Sequence, residues 1–184
     1  MKVFRIVGES TTLLIGAGML QMISIMFMMS GQSYLLRKFN AGSPPDMRFG
    51  YTSDEIYEWL EKLGPDGRKH YLDLVYWDFF PMMPTYAVLL GSLLYEEIKH
   101  TEHRNEIAYV FPVTMLFDVV ETAANGYTAY HFPDPVDSYI VDISSLANQM
   151  KWLALGSGLF ALSLIFLQNL VYPSLNTKSN LKEE

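Results

Sequence analysis

Cysteine is absent from this chain of 184 residues, and its absence excludes several kinds of chemistry. Without a thiol there is no disulfide, no thiolate nucleophile and no cysteine-ligated zinc or iron–sulfur cluster. Positive charge is also scarce, with 13 lysines and arginines against 20 acidic residues and a formal net charge of −7. Nucleic-acid binding depends on basic side chains that neutralise phosphates, so this composition argues against a nucleic-acid partner.

Histidine is nearly missing from the apolar part of the sequence. His70 and His131 lie at the edges of apolar segments, and His100 and His103 lie in a charged stretch between two of them. This placement disfavours a bis-histidine haem and excludes an eight-histidine di-iron centre. Glu97, His100 and His103 have the spacing of metal ligands, but a solvated helix face is the better interpretation in so charged a stretch. We therefore predict no metal and no other cofactor.

Four long apolar segments are present instead, and each is long enough to cross a hydrocarbon core of ~30 Å as a helix of roughly 20 residues. They are residues 11–29, 72–94, 107–130 and 146–171. Met19–Met29 carries no charge on any face, whereas a helix of a soluble bundle keeps one polar face. The sequence therefore predicts an all-α, multi-pass integral membrane protein, a four-transmembrane-helix antiparallel bundle over 1–172 with a polar tail at 173–184. Lysine and arginine are divided equally between the two sides, so the orientation stays open, and no signal identifies the membrane.

The first long loop contains a short amphipathic helix at about 53–63. Thr52 and Glu55 fit a capping box at its start, and a turn over 64–67 is expected to end it. One face of this helix carries Ile56, Trp59, Leu60 and Leu63. This face suits either the bilayer interface or a lid packed on the bundle itself.

Ionisable and polar side chains inside the apolar segments are the strongest functional signal. Asp78, Asp118, Glu121 and Lys151 would each cost about 2.5–3.5 kcal/mol in hydrocarbon, so we expect them to face a partner, a cavity or water. The direction of each segment places all four in the same half of the bilayer. Asp118, Glu121 and Asn125 share one face of one helix, at positions i, i+3 and i+7.

Three acids face one base in this cluster, so at least one carboxyl is expected to be protonated or to reach water. Three roles stay open: pinning the third and fourth segments together, binding or transforming a ligand, and conducting protons or ions. Pro81 and Pro84 are expected to kink the second segment and open a cavity that Trp77 and Tyr86 could line.

The second segment also carries a resemblance to a known family. Residues 73–92 (DLVYWDFFPMMPTYAVLLGS) resemble the corresponding span of the emopamil-binding/sigma-2 receptor (EXPERA) family. The resemblance implies a four-helix membrane protein with a buried acidic pocket for sterols and cationic amphiphiles. It places Asp73 on the family's pocket glutamate, and Tyr86 and Ala87 on its Tyr-Ala pair. The chain has no mid-span histidine to act as the proton shuttle of the sterol isomerases.

These observations predict an acidic intramembrane pocket that binds a sterol-like or other apolar lipid ligand. No reaction motif is complete, so no catalytic residue is assigned, although double-bond isomerisation fits best if the protein is an enzyme. The predicted ligand-binding residues are Asp73, Trp77, Asp78, Tyr86, Asp118, Glu121, Asn125 and Lys151.

Two other functions compete with this one. The first is a non-catalytic accessory subunit of a larger membrane complex, such as an energy-transducing assembly. The second is a proton-coupled transporter, which four spans could form only as a dimer. The expected partners are accordingly the lipid bilayer, an apolar or amphiphilic small molecule, and other membrane subunits or a second copy.

Overall fold

The chain folds into helices throughout the part that the computed structural model describes, residues 2–98 and 107–171. No strand occurs in these two ranges, so the predicted all-α class is confirmed. The predicted tail at 173–184 and the histidines at 100 and 103 lie outside them. The elements are α1 (Lys2–Gly8), α2 (Thr11–Phe39), a 3₁₀ turn (Pro45–Met47), α3 (Ser53–Trp77), a π-helical turn (Asp78–Met82), α4 (Met83–Glu97), α5 (Val110–His131) and α6 (Ser138–Val171).

Two helical stretches are long and apolar enough to cross a membrane, Thr11–Phe39 and Ser138–Gln168, with mean hydropathies of 1.8 and 1.7. Neither behaves as the core helix of a soluble protein, because only 17% and 11% of their most apolar stretches are buried. Met26 on α2 and Phe160 on α6 are each 66% exposed. Apolar surface this extensive needs lipid or protein to cover it, which supports a membrane protein.

Both of these helices are longer than the sequence predicts. The first segment was expected to stop at residue 29, whereas α2 continues to Phe39 and is capped by Asn40 in the left-handed conformation (φ 50°). The last was expected to start at residue 146, whereas α6 starts at Ser138. The prediction assigns the polar residues at the end of α2 and at the start of α6 to loops. No proline interrupts either stretch, so both helices include them. Only residues 40–52 therefore join α2 to α3.

The predicted amphipathic helix is the first part of α3. Thr52 and Glu55 form the capping box, with each side chain bonded to the other residue's backbone N–H. Gly64 then breaks the helix with φ 61° and ψ 179°, angles that glycine adopts most readily. The turn predicted over 64–67 is wrong, because the helix resumes at once. Pro65, which has no N–H to donate, is suited to the first turn of the new segment.

This first part of α3, residues 53–63, is a lid packed on the bundle. Its apolar face is fully buried against a core that includes Leu35, Tyr71 and Val141. Trp59 also donates from its indole N–H to the carbonyl of Gly42 at 3.4 Å. Of the two placements that the sequence leaves open, the structure has the lid.

A π-helical turn joins α3 to α4 into one bent column. The N–H of Met83 donates to the carbonyl of Asp78, five residues back, and the wider turn accommodates Pro81. A proline in a regular helix would leave a carbonyl without its donor, so the π turn absorbs the irregularity. The helix predicted over 72–94 is thus present, but in three pieces.

The paired helices α5 and α6 run antiparallel. Along α6 the residue numbers rise as those of the facing α5 residues fall, so that Lys151 lies against Asp118 and Gly158 against Phe111. The pairing of α2 with the α3–α4 column follows the same rule. The short α1 folds back and packs on α4, while α2 and α6 have no extensive contact with each other.

Candidate functional site

Lys151 is the centre of a buried charge cluster between α5 and α6. Its Nζ lies 2.5 Å from Glu121 Oε2 and 3.2 Å from Asp118 Oδ1. The three residues are 7%, 0% and 7% exposed. The ammonium can balance one carboxylate, so the pair of acids leaves this cluster with excess negative charge or an extra proton.

Helical periodicity builds the cluster from two facing polar stripes. Asp118, Glu121 and Asn125 project from one face of α5, and Ser144 and Lys151 project from the facing side of α6. Ser144 Oγ lies 3.1 Å from Asn125 Oδ1 and donates to the carbonyl of Glu121 at 3.1 Å. The spacing of three and four residues between Asp118, Glu121 and Asn125 thus places all three on the face of α5 that contacts α6.

The α3–α4 column contributes two further groups to this polar region. The Tyr86 hydroxyl donates to Asp118 Oδ2 at 3.1 Å. Asp78, in the π turn, accepts a hydrogen bond from the Thr122 hydroxyl at 3.1 Å. The column therefore places a third carboxyl and a phenol beside the cluster of Asp118, Glu121 and Lys151.

The segment between α2 and α3, residues 40–52, forms a strap across this end of the bundle. Asn148 Nδ2 donates to the carbonyls of Pro45 and Arg48 at 3.2 and 2.7 Å. The Tyr51 N–H donates to Ser145 Oγ at 2.8 Å, and its hydroxyl lies 2.9 Å from Asn125 Oδ1. Side chains of α5 and α6 thus satisfy polar groups of a segment whose regular structure is limited to the 3₁₀ turn at Pro45–Met47.

Asp46 of the strap adds a fourth carboxyl to the site. Its Oδ2 accepts from Gln32 Nε2 at 3.3 Å, and its backbone carbonyl lies 3.5 Å from Lys151 Nζ. Its buried Oδ1 has no hydrogen-bond partner on the described part of the chain. Burial raises the pKa of the Asp46 carboxyl above its ordinary value, while the Lys151 ammonium opposes that rise.

A cavity of about 360 Å³ lies against these groups, between α2, the α3–α4 column, α5 and α6. One end is lined by Asp46, Asp78, Asp118 and Lys151, and the rest is largely apolar. The apolar and aromatic lining consists of Ile25, Met28, Met29, Met47, Met82, Tyr86, Leu90, Trp152, Leu155 and Leu159. A pocket of this size with few polar groups at one end is typical of small-molecule sites.

Six of the eight residues predicted for the site come together, namely Asp78, Tyr86, Asp118, Glu121, Asn125 and Lys151. Asp73 does not: it is exposed on the outer side of α3, since five residues of helix separate its direction from that of Asp78. Trp77 is 39% exposed and stacks on Phe27 of α2, with ring centroids 4.2 Å apart, so it also lies outside this cavity.

Four polar residues that line the cavity are not among the predicted ones, namely Gln21, Gln32, Asp46 and Thr114. Asp46 lies in a loop, and the periodicity of apolar residues does not predict the path of a loop. Gln21 and Gln32 lie eleven residues apart on α2 and both line the cavity. Their spacing matches three helical turns, and this was the one signal that could have identified them.

The described part of the chain contains no group of three or more histidine, aspartate or glutamate side chains arranged to hold a metal ion. Glu97 belongs to the described residues, whereas the histidines with which it shares a metal-like spacing do not. Compared with known protein families, curated proteins and solved structures, the chain gives no match in any of the three.

Proposed function

We propose that this chain is a four-span integral membrane protein that binds an amphiphilic ligand, with a polar or amine-bearing head and a sterol-like or other apolar body. The observation that carries the proposal is the cavity of about 360 Å³, with carboxyls gathered at one end and apolar side chains along the rest. The resemblance of residues 73–92 to the EXPERA family points to the same ligand class.

The packing of the other helices against α2 and α6 supports four spans. The α3–α4 column and α5 carry the acids Asp78, Asp118 and Glu121, and these acids lower the mean hydropathy of the two elements. The three acidic side chains nevertheless point into the bundle. Val120 and Leu116 on the outer face of α5 are 43% and 60% exposed, as lipid-facing residues would be. The column and α5 therefore complete a bundle in which polar groups avoid lipid.

The charge at the polar end favours a cationic head. Four carboxyls surround a single ammonium, since Asp46, Asp78, Asp118 and Glu121 all lie around Lys151. An amine would compensate an acid that Lys151 leaves unpaired, and Asp46 Oδ1 offers an acceptor without a partner on the described part of the chain.

Entry from the bilayer fits the placement of the cavity. It is lined by residues of α2 and α6, the two helices with the most exposed apolar surface, and these two helices do not pack extensively on each other. A hydrophobic ligand dissolved in the membrane would reach the cavity between them without crossing water.

Proton transfer is the chemistry within reach if the ligand is also transformed. Carboxyls and the Tyr86 hydroxyl are the reactive groups at the polar end. Isomerisation of a double bond needs one proton donor and one acceptor, which a protonated and an ionised carboxyl supply together.

Binding of dodecylamine tests the proposal, with dodecanol as the uncharged comparison. In nanodiscs, the wild type is expected to bind the amine more tightly than the alcohol. Asp46→Asn and Asp118→Asn should each weaken amine binding by roughly tenfold, because each removes an acid from the cavity wall. Asp73→Asn is the matched control, since Asp73 is exposed outside the cavity and its replacement should leave both affinities unchanged. Equal binding of amine and alcohol by the wild type would contradict the proposal.

An accessory subunit of a larger membrane complex is the second candidate, and one observation on α2 favours it. A Cβ added at Gly16 or Gly18 would meet no atom of a neighbouring element within 4 Å, so this surface admits the close approach of a foreign helix. Purification in mild detergent tests it: comigration with a fixed set of other subunits supports this role, and a second copy alone supports a homodimer.

A further inference from the structure

A stripe of cationic and hydroxyl side chains lies at the C-terminal end of α2, outside the cavity described above. This basic stripe lines a surface groove of about 490 Å³ and consists of Ser30, Ser33, Tyr34, Arg37 and Lys38. The Lys38 ammonium donates to the Tyr34 hydroxyl at 2.5 Å, and the exposed Asp66 of α3 acts on Lys38 electrostatically without lining the groove. The exposed Arg37 makes no hydrogen bond or ion pair with the described part of the chain. The groove therefore offers two cations and three hydroxyls, and no carboxyl lines it.

The basic stripe lies where α2 leaves the bilayer. A hydrocarbon core of ~30 Å takes roughly 20 residues of helix, whereas α2 has 29. The apolar stretch of α2 ends at Met29, and Arg37 and Lys38 follow it by about two helical turns. Helical side chains lean toward the N-terminus, so both long cationic side chains lean back toward the membrane surface. Tyr34, which is 42% exposed, is a residue type typical of the same interface.

The same face of α2 continues into the bilayer as an apolar surface. Ile23, Met26 and Phe27 precede Ser30 by seven, four and three residues, so they lie below it along one side of the helix. They are 59%, 66% and 40% exposed. A phospholipid has a charged head for the cations and acyl chains for this apolar surface, whereas a free phosphate ion could use the cations alone.

We infer that the basic stripe binds the head group of an anionic phospholipid, with an acyl chain along Ile23, Met26 and Phe27. Charge complementarity decides the class of lipid. A zwitterionic head carries its own cation beside the phosphate, whereas an anionic head leaves a negative charge for Arg37 and Lys38 to compensate. This site rests on α2 crossing the bilayer and makes no use of the cavity, so it is independent of the ligand proposed above.

Two lipids with identical acyl chains test this inference, anionic phosphatidylglycerol and zwitterionic phosphatidylcholine. Dissociation constants are measured by native mass spectrometry of the protein in an uncharged detergent. The wild type is expected to bind phosphatidylglycerol roughly tenfold more tightly, because two cations near the membrane surface contribute to its binding. The double variant Arg37→Gln/Lys38→Gln removes both cations and should bind the two lipids equally.

Two control variants separate the position of the charge from its amount. Arg37→Lys keeps the cation and should keep the preference for phosphatidylglycerol. Lys62→Gln removes a cation from the exposed side of the lid and should behave as the wild type. Equal binding of both lipids by the wild type, or a preference that survives in the double variant, overturns the inference.

Two further measurements complete the test. Inorganic phosphate at the concentration of the lipid should not displace phosphatidylglycerol, and displacement would overturn the assignment of the groove to a lipid. The double variant should bind dodecylamine as the wild type does, since neither substituted residue lines the cavity. A wild type that prefers phosphatidylglycerol but binds no dodecylamine would contradict the proposed function and leave the lipid site standing.

Discussion

The end of the bundle beneath the strap combines an apolar core with buried polar contacts, whereas the buried core at the end beneath α1 is apolar. At the strap end, Lys151, Asp118 and Asn148 hold the helices and residues 40–52 together by charge pairs and hydrogen bonds. At the α1 end, the buried cluster consists of Phe4, Leu94, Tyr95, Ile98, Ala108 and Phe111, with Leu155 and Leu162 against it.

Glycine allows close approach between elements at both ends of the bundle. At the α1 end, Gly91 lies under the ring of Phe4 and Gly158 lies under the ring of Phe111, so glycine lets these helices meet. At the strap end, Gly31 lies against Leu74 and Gly126 lies against Val75, while the cavity lies between α2 and α6. Close packing thus stabilises both ends, and the strap end adds a site that holds charge.

Removal of the ammonium at the strap end should have the largest effect. Lys151→Met leaves Glu121 and Asp118 buried without their cation, and breaking a buried charge pair in this way costs about 3–5 kcal/mol. We expect the Tm in detergent to fall by roughly 10 °C. The double variant Lys151→Met/Glu121→Gln should recover part of the loss, because it removes the fully buried charge as well.

Lys62→Met is the matched control for this prediction. Lys62 pairs with Glu58 at 2.6 Å on the exposed side of the lid, where solvent screens the interaction, so the same substitution should leave the Tm unchanged. If Lys151→Met melts at the wild-type temperature, the charge cluster contributes no more than a surface pair, and the contrast between the two ends is lost.

Helical periodicity in the sequence predicted part of the strap end, namely the charged residues that lie on helices. The depth of Asp78, Asp118, Glu121 and Lys151 follows from chain direction and from a fixed rise per residue, so their gathering in one part of the bundle was predictable. Asp73 was assigned through the resemblance alone, and its direction depends on the helix turns that separate it from Asp78. A linear pattern does not determine on which side of the column a residue faces.

The strap and the α1 end were not foreseen, for a different physical reason. Asp46 reaches the cavity because Asn148 and Tyr51 fix an irregular segment, and such long-range hydrogen bonds leave no mark in local sequence. The fold-back of α1 depends on the fit of Phe4 over Gly91, which is a contact between residues far apart in the chain. Neither helix propensity nor hydropathy predicts the path of the strap or the fold-back of α1.

A methyl group added at the α1 end should have an intermediate effect. In Gly91→Ala the new Cβ would lie 2.9 Å from the Phe4 ring, so the ring or α1 must shift. Overpacking costs about 1–3 kcal/mol, while alanine regains about 0.5–1 kcal/mol of helix propensity. We expect a net loss of about 1 kcal/mol, seen as a lower Tm and faster hydrogen exchange in α1.

Gly18→Ala is the control for that substitution, because no other element lies within 4 Å of the added methyl group. It should be neutral or stabilising by no more than about 1 kcal/mol. Dodecylamine binding should be unchanged in both variants, since neither glycine lines the cavity. Weaker binding in Gly91→Ala would mean that the two ends are coupled rather than independent.

A change of pH is expected to have the smallest effect on the Tm, and it tests a single carboxyl of the strap end, that of Asp46. Burial raises the pKa of Asp46 in the folded protein above its ordinary value of 3.8, against the opposing charges of Lys151 and Arg48. Between those two pKa values the folded state keeps a proton that the unfolded state has lost, so this group stabilises the fold most at low pH. The Tm of the wild type relative to Asp46→Asn should therefore fall as the pH rises from about 4, and then level off above the folded pKa.

Asp73→Asn, which changes an exposed carboxyl, should follow the wild type across the same range. A difference between wild type and Asp46→Asn that does not change with pH would show that Asp46 titrates as it does in water, and that the strap does not shield the polar end of the cavity.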